Sequence, residues 1–229
     1  MSTYFCSDLH GEYDLFCRLL EKVRFSGGDR LYVFGDCIDK GKESLRLVRL
    51  LRGLRAAVTV GNHEYDFLNR YAALAKESDG SDFDRVLERL QAFFPFDTLP
   101  LTWETVDFLD ALPYYVEEET FIGVHAGVQT DEKGQILPMR AQSPRVMVFD
   151  RHFKEDRVVP KGKTVLFGHT PCSYDNGDGR FIKTGNERLR AGETLNEYAK
   201  IRLDTGVAFT GRLGLLRKED MAEIYICRG

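Results

Sequence analysis

Five short apolar runs in this chain each end in a turn carrying a carboxylate, an amide or an imidazole, and this recurrence limits the fold more than any other feature. The central run is Leu31-Tyr32-Val33-Phe34-Gly35-Asp36-Cys37-Ile38-Asp39-Lys40-Gly41. Strand-forming residues stop abruptly at Gly-Asp, so Asp36 is expected at the carboxyl end of a buried strand, where open α/β sheets place their ligands. The other turns are Asp8-Leu9-His10-Gly11, Gly61-Asn62-His63-Glu64, His125-Ala126-Gly127 and Gly168-His169-Thr170. In extended chain, residues two apart point to the same side. Asp8 and His10 can therefore reach one ion while Gly11 lets the backbone turn away.

The segments between these turns have helical spacing. Leu15, Phe16, Leu19, Leu20 and Val23 recur on one face, and Leu45, Val48, Leu51 and Leu54 do so again. Ser26-Gly27-Gly28-Asp29 is a turn into the Asp36 strand. The first sixty residues thus alternate β, α, β, α, β, which predicts a parallel sheet with helices on its faces. Residues 64–112 read as a helical, cap-like segment beside that sheet, broken by the polar insert at 77–82, with a tip that could shape a substrate mouth. Its stripe of Leu87, Leu90, Phe93 and Phe94 is of the kind that more often packs in a core than binds ligand. Strands are then expected at 114–116, 121–124, 163–167 and 201–204, with a polar, Gly-rich loop at 173–192. The runs at 212–216 and 221–227 form a hairpin turning at Lys218-Glu219-Asp220. The carboxyl third is expected to add a second, more antiparallel sheet, all within one domain spanning 1–229.

Charged residues make up 30% of the 229 and hydrophobic residues 43%, an ordinary globular balance, and the net charge of -4 offers no basic footprint for nucleic acid. A phosphate-bearing substrate suits such a chain only if bound metal ions invert the local field. Five scattered cysteines without a Cys-x-x-Cys pair point to a reducing compartment. Acidic residues near the start and the lack of any apolar run of about 18 residues predict a soluble, cytoplasmic protein with neither signal peptide nor membrane span. Self-association is left open.

A lone strand-end aspartate or histidine is usually structural. Here Asp8, His10, Asp36, Asn62, His125 and His169 all fall at strand ends, which a wound sheet gathers on one edge. Mixed carboxylate, imidazole and amide-oxygen ligands suit first-row divalent ions such as manganese, iron, zinc or cobalt, so two metal ions are expected, with Asp36 between them. Competing phosphate chemistries fit poorly. Gly162-Lys163-Thr164 imitates the end of a nucleotide P-loop, but Arg157 stands where its first glycine belongs. No cysteine has an arginine six residues on, as a cysteine-based phosphatase loop requires. Cys6, Cys37 and Cys172 lie beside the candidate ligands and read as small buried hydrophobes, with thiol-linked redox sensitivity as the sharper alternative.

Taken together and in order, the five motifs resemble those of the calcineurin-like metallophosphoesterases, and within them the bacterial relatives of the serine/threonine phosphoprotein phosphatases. The resemblance covers nearly the whole chain, and Leu203-Asp204-Thr205-Gly206 with Gly211-Arg212-Leu213 also looks like the carboxyl-terminal signature of those enzymes. It implies an α/β (α+β) sandwich: two mixed β-sheets flanked by helices in four layers, with a dimetal site at strand ends. One ion, manganese by preference, would take Asp8, His10 and Asp36. The other would take Asp36, Asn62, His125 and His169, with a bridging hydroxide as nucleophile. His63 would protonate the leaving oxygen and Asp39 would orient its imidazole. The resemblance assigns phosphate contacts to two arginines. This chain has Lys40 for the first, a point charge instead of a planar fork. For the second it has Asp150 followed by Arg151, so that either Arg151 serves through a shift of one position or the contact is lost. The function implied is hydrolysis of phosphomonoesters, foremost phosphoserine or phosphothreonine in a phosphorylated protein. The alternatives are hydrolysis of a dinucleoside polyphosphate such as diadenosine tetraphosphate, or a metal-bearing module that binds phosphorylated partners without turnover.

Overall fold

Strand and helix alternate at the amino terminus as the periodicity predicts. The structure is a computed structural model that describes residues 1–78, 83–95, 97–159, 162–185 and 194–229. It opens with β1 (Thr3–Cys6), α1 (Tyr13–Lys22), β2 (Arg30–Phe34), α2 (Ser44–Gly53) and β3 (Ala57–Thr59). β1 and β3 both pair with β2 in parallel, Cys6 lying opposite Val33 and Phe34 opposite Thr59. The two-residue period of the strands sorts their side chains between two layers. Tyr4, Cys6, Leu31 and Val33 face α1 and α2, burying Leu15, Phe16, Leu19, Leu45, Val48 and Leu51. Phe5, Tyr32 and Phe34 face the other way.

Helices α3 (Asn62–Glu77), α4 (Phe83–Gln91) and α5 (Trp103–Asp110) follow. Their apolar faces enter the same cluster as α1, α2 and the first sheet, through Phe67, Leu74, Val86, Leu90, Val106 and Leu109. Phe67 is fully buried, so truncating it to alanine should cost about 3–5 kcal/mol. The Phe-rich stripe is therefore core. Residues 79–82 of the expected polar insert lie outside the described residues.

The second sheet contains β4 (Tyr115–Glu117), β5 (Phe121–Val124), β6 (Thr164–Phe167), β7 (Ile182–Gly185) and β8 (Tyr198–Arg202) in the order β4-β5-β6-β8-β7. Its centre, β5-β6-β8, is parallel, and its two edges are antiparallel. Phe121, Leu166 and Ile201 meet Phe5, Tyr32 and Phe34 between the sheets, with the ring centroids of Phe5 and Phe121 4.9 Å apart, edge to face. Helix α6 (Pro144–Phe149) and neighbouring loops cover the outer face through Val128, Met139, Met147 and Phe153. Two mixed sheets flanked by helical layers result.

Two expectations need correction. The segment 173–192 is not all loop: it holds α7 (Ser173–Asn176) and β7, an edge strand whose half-exposed Lys183, Thr184 and Gly185 carry no periodic signal. Residues 186–192 of that segment lie outside the described residues. The carboxyl-terminal hairpin also does not extend the second sheet. After α8 (Val207–Thr210), β9 (Arg212–Arg217) and β10 (Glu223–Cys227) return to the first sheet, where β9 pairs antiparallel with the free edge of β1. Leu213 and Leu215 pack on the helical side and Leu216 between the sheets, so β9 is buried on both faces and its sequence does not say which sheet it joins. Among the described residues no helix is long and apolar enough to cross a membrane.

Candidate metal centre

Every predicted ligand lies just past a strand: Asp8 and His10 after β1, Asp36 after β2, Asn62 after β3, His125 after β5 and His169 after β6. Parallel pairing continues from the strands into these turns. Asp8 N–H donates to the Gly35 carbonyl at 3.1 Å and His10 N–H to that of Asp36 at 2.9 Å. In the other sheet Gly168 N–H donates to the His125 carbonyl at 2.7 Å. Gly35 has φ +76°, and a Cβ there would stand 2.5 Å from His125 Nδ1, so this turn admits glycine alone.

Two clusters of ligand atoms share Asp36. His10, Asp36 and His63 form one, and Asp36, His125 and His169 the other, each with its atoms within 4.8 Å of one another. His125 Nδ1 donates to the Phe34 carbonyl at 2.9 Å, which leaves Nε2 as a lone pair 3.4 Å from Asp36 Oδ1, 3.1 Å from Asn62 Oδ1 and 3.2 Å from His169 Nδ1. Asn62 Oδ1 is itself 2.8 Å from His169 Nδ1. In the first cluster His10 Nδ1 donates to the Ile38 carbonyl at 3.2 Å, turning Nε2 toward Asp36 Oδ2 at 3.7 Å and Asp8 Oδ1 at 4.0 Å. Asp8 stands slightly apart, its other oxygen accepting from Ser7 Oγ and from the His169 N–H at 3.0 Å.

This donor set fits divalent cations. Oxygens and imidazole lone pairs that can only accept converge with too few protons among them. Burial first, then the neighbouring carboxylates, pushes Asp8 and Asp36 well above the usual carboxylate range, and burial pushes Asp204 up to about 6. Burial, with Lys40 beside His10 and His169 beside His125, holds those imidazoles well below their ordinary value, and His169 falls to about 4. Neutral imidazoles and crowded carboxylates are what an added positive charge stabilises.

The backbone is strained where the ligands sit. Six of the nine described non-glycine residues with positive φ are Asp8, His10, Asp36, Asp39, Lys40 and His169, each costing about 1–3 kcal/mol. Glu64, quoted in the sequence only as part of a turn, holds this arrangement. Fully buried, it accepts the N–H groups of Asp36 (2.8 Å), Cys37 (2.8 Å), Ile38 (3.1 Å) and Gly61 (2.9 Å). Its one signal was an acidic residue at the third position of a helix, where it reaches back to the N-cap N–H.

Beside the clusters lies a cavity of about 160 Å³ whose walls include Asp8, His10, His169, Lys40, Arg151 and Asp204. Arg151 borders it and Asp150 does not; the Asp150 carboxylate instead accepts the His152 N–H at 2.8 Å. Lys40 Nζ donates to His10 Nε2 at 2.9 Å. His63 Nδ1 lies 2.7 Å from Asp39 Oδ2, and its Nε2 faces Asp36 Oδ2 at 3.7 Å. Asp204, buried in this cavity, reads in the sequence only as part of the carboxyl-terminal signature, with no role assigned to it at the site; β8 ends at Arg202, which sets it in the turn beyond the strand.

Known proteins with the same features give this geometry a family. Residues 1–205 match the model of the calcineurin-like phosphoesterases. A symmetrical bis(5'-nucleosyl)-tetraphosphatase of Pasteurella multocida (strain Pm70) is 36% identical over 136 residues, 57% of this chain and 46% of that protein. The chain thus spans about half the length of the curated relatives it matches first. Among solved structures, a candidate diadenosine tetraphosphatase superposes with a TM-score of 0.69 at 20% identity, covering 100% of this chain and 94% of the other. A cold-active protein tyrosine phosphatase superposes with a TM-score of 0.58 at 15% identity, covering 98% and 78%. With its motifs, its two sheets and the family match over most of its length in agreement, the chain belongs to the calcineurin-like phosphoesterase family.

Proposed function

We propose that this chain is a metal-dependent hydrolase of dinucleoside polyphosphates, splitting a bis(5'-nucleosyl) tetraphosphate within its phosphate bridge. The carrying observation is the pair of ligand clusters that share Asp36 beneath a cavity bordered by Lys40 and Arg151. Asp8, His10 and Asp36 would hold one divalent ion, and Asp36, Asn62, His125 and His169 the other. Manganese is the first expectation, with iron, zinc or cobalt also suited to the donors. Such ions polarise phosphoryl oxygens and acidify water into a nucleophile.

The chain's own side chains supply the rest. Lys40 and Arg151 neutralise and orient the phosphate oxygens. Asp39 accepts from His63 Nδ1 and so orients the ring, and in its doubly protonated form that ring turns an Nε2–H toward the site to deliver a proton to the departing oxygen. The water oxygen bonds to one phosphorus as the bridging P–O bond to it breaks; the bridging oxygen leaves on the other phosphate with the proton from His63, and the proton released by the water passes to solvent, from which His63 is reprotonated.

Substrate choice rests on the sequence relatives, whose names specify dinucleoside tetraphosphates. The protein phosphatases among the structural neighbours are too distant in sequence to speak for more than the fold. Phosphoserine and phosphothreonine peptides therefore rank second. The test is turnover by chelator-stripped, manganese-reconstituted protein offered diadenosine tetraphosphate, phosphopeptides and p-nitrophenyl phosphate. Release of ADP, lost in Asp36→Asn and His63→Asn, is expected. Phosphate from the peptides without ADP from the dinucleotide would move the chain to the protein phosphatases. Metal binding with no turnover at all would leave a phosphate-binding module.

A further inference from the structure

Few large apolar side chains are exposed among the described residues: Met1, Phe83, Tyr174 and Phe209. Met1 is the first residue, and Phe83 packs edge-on against Trp103. Tyr174 (63% exposed) and Phe209 (70% exposed) remain, and they stand together, ring centroids 6.4 Å apart and tilted by 42°, in the wall of the cavity that holds Asp8, His10 and His169. A single exposed aromatic ring is unremarkable, but a pair placed beside an anion-binding cavity offers two π-faces to a ligand already held there.

The two segments that carry the pair are also joined to each other. Tyr174 lies on α7, reached directly from the His169 turn, and Phe209 on α8, reached from Asp204. The Cys172 N–H donates to the Asp204 carbonyl at 2.8 Å, the Gly206 N–H to Asp204 Oδ1 at 2.8 Å, and Arg202 pairs with Asp175. Gly206 has φ +69°, and a Cβ there would come within 2.9 Å of Ser173 Oγ, so this glycine is what lets the two short helices meet. The two helices that carry the rings are thus tied to the turns that carry His169 and Asp204. A second cavity, of about 540 Å³, shares His10, Lys40 and Ala208 with the first and runs on past Tyr13 and Lys42, with Glu12, Asp14 and Glu43 also in its wall and Arg228 paired to Glu12, so there is space beyond Lys40 for more of a long ligand.

We propose that Tyr174 and Phe209 form a nucleobase platform that holds one purine of the substrate while its phosphates cross Lys40 and Arg151. The proposal deepens the dinucleoside polyphosphate reading and rests on it. Aromatic stacking on a base tolerates any base and is lost on truncation to alanine, with about a tenfold weakening of nucleotide binding expected for each ring. As a stacking platform the two rings act on binding of the base.

The test is isothermal titration of the manganese-loaded full chain with ADP and, separately, with pyrophosphate. Wild-type protein should bind ADP at least about tenfold more tightly than pyrophosphate. Tyr174→Ala and Phe209→Ala should weaken ADP about tenfold more than they weaken pyrophosphate, and Tyr174→Phe and Phe209→Tyr should restore the difference. Equal losses on both ligands, or a wild-type protein that does not prefer ADP, would overturn the platform. Hydrolysis is scored separately. Preference for ADP without cleavage of diadenosine tetraphosphate keeps the platform and removes the hydrolase reading. Cleavage whose KM ignores both alanine variants does the reverse.

Discussion

His63 Nδ1 sits 2.7 Å from Asp39 Oδ2 while Nε2 faces Asp36 Oδ2 at 3.7 Å, so one imidazole joins a half-exposed carboxylate to the buried one shared by both ligand clusters. Asp39 and its neighbour Lys40 adopt positive φ to make this contact, at +69° and +63°. Backbone strain at two successive residues beside this hydrogen bond supports the orienting role proposed for Asp39. His63→Asn should lower kcat about 10²–10⁴-fold, and Asp39→Asn by less, without loss of bound metal. Leaving-group dependence checks the role. A proton donor matters little to a good leaving group, so the His63→Asn deficit should be clearly smaller on p-nitrophenyl phosphate than on a substrate with a poor one.

Asp36 links function to stability in opposite directions. Its burial beside Glu64 holds the carboxyl well above the usual range, so without metal its charge opposes folding. Asp36→Asn keeps the oxygen that accepts the His63 N–H at 3.1 Å and removes that charge. Chelator-treated Asp36→Asn is expected to be more stable than chelator-treated wild type by about 1–2 kcal/mol, a rise of roughly 2–8 °C in melting temperature. Adding manganese should raise the melting point of wild type and leave the variant nearly unmoved. Bound-metal stoichiometry on the same samples reports whether both ions are lost together.

Most of this site could be read without coordinates because strand ends announce themselves. Val33-Phe34-Gly35-Asp36 changes from strand formers to a turn within two residues, and a parallel sheet does the rest by bringing such ends to one edge. What escaped reading depends on packing. β9 buries Leu213, Leu215 and Leu216 on both faces, which erases the alternation that would have named its partner sheet. β7 is a polar edge strand held by its pairing with β8 and by Lys183, which pairs with Glu223 across the fold, and neither contact leaves a pattern in its sequence. Glu64 resembles any acidic residue on a helix surface until the fold turns it under the Asp36 loop, and Tyr174 and Phe209 become neighbours only when α7 and α8 meet at Gly206.

Thiol chemistry separates the five cysteines. Cys6, Cys37 and Cys172 are buried, and burial pushes all three thiols up, Cys172 to about 12. The thiolate is the reactive form, so these three should resist attack at pH 8 in the folded protein. Cys227, which is exposed, should be alkylated by iodoacetamide first, followed by the half-buried Cys17. Mass spectrometry after timed labelling gives the order. This burial supports reading Cys6, Cys37 and Cys172 as core residues and weighs against redox control at the site. Peroxide inactivation that disappears when they are replaced by serine would reverse that conclusion.

Glu64 makes the strongest structural prediction because it is fully buried and accepts four backbone N–H groups at once. Hydrogen bonds to a charged acceptor contribute about 1.5–3 kcal/mol each in favourable settings, and buried donors left without a partner add their own penalty. Such losses are not additive within one network, so Glu64→Ala is expected to cost about 3–5 kcal/mol rather than the sum. Glu64→Gln, which keeps one oxygen but turns an N–H₂ toward other donors, should recover only part of that. Because the bonded amides belong to Asp36, Cys37, Ile38 and Gly61, the relaxed loop also loosens both ligand clusters. The glutamine variant, if it folds, should show a lower urea midpoint at unchanged m and about 10–100-fold weaker metal binding. A Glu64→Gln protein with wild-type urea midpoint and wild-type metal affinity would mean that the strained Asp36 turn is held by the sheets alone.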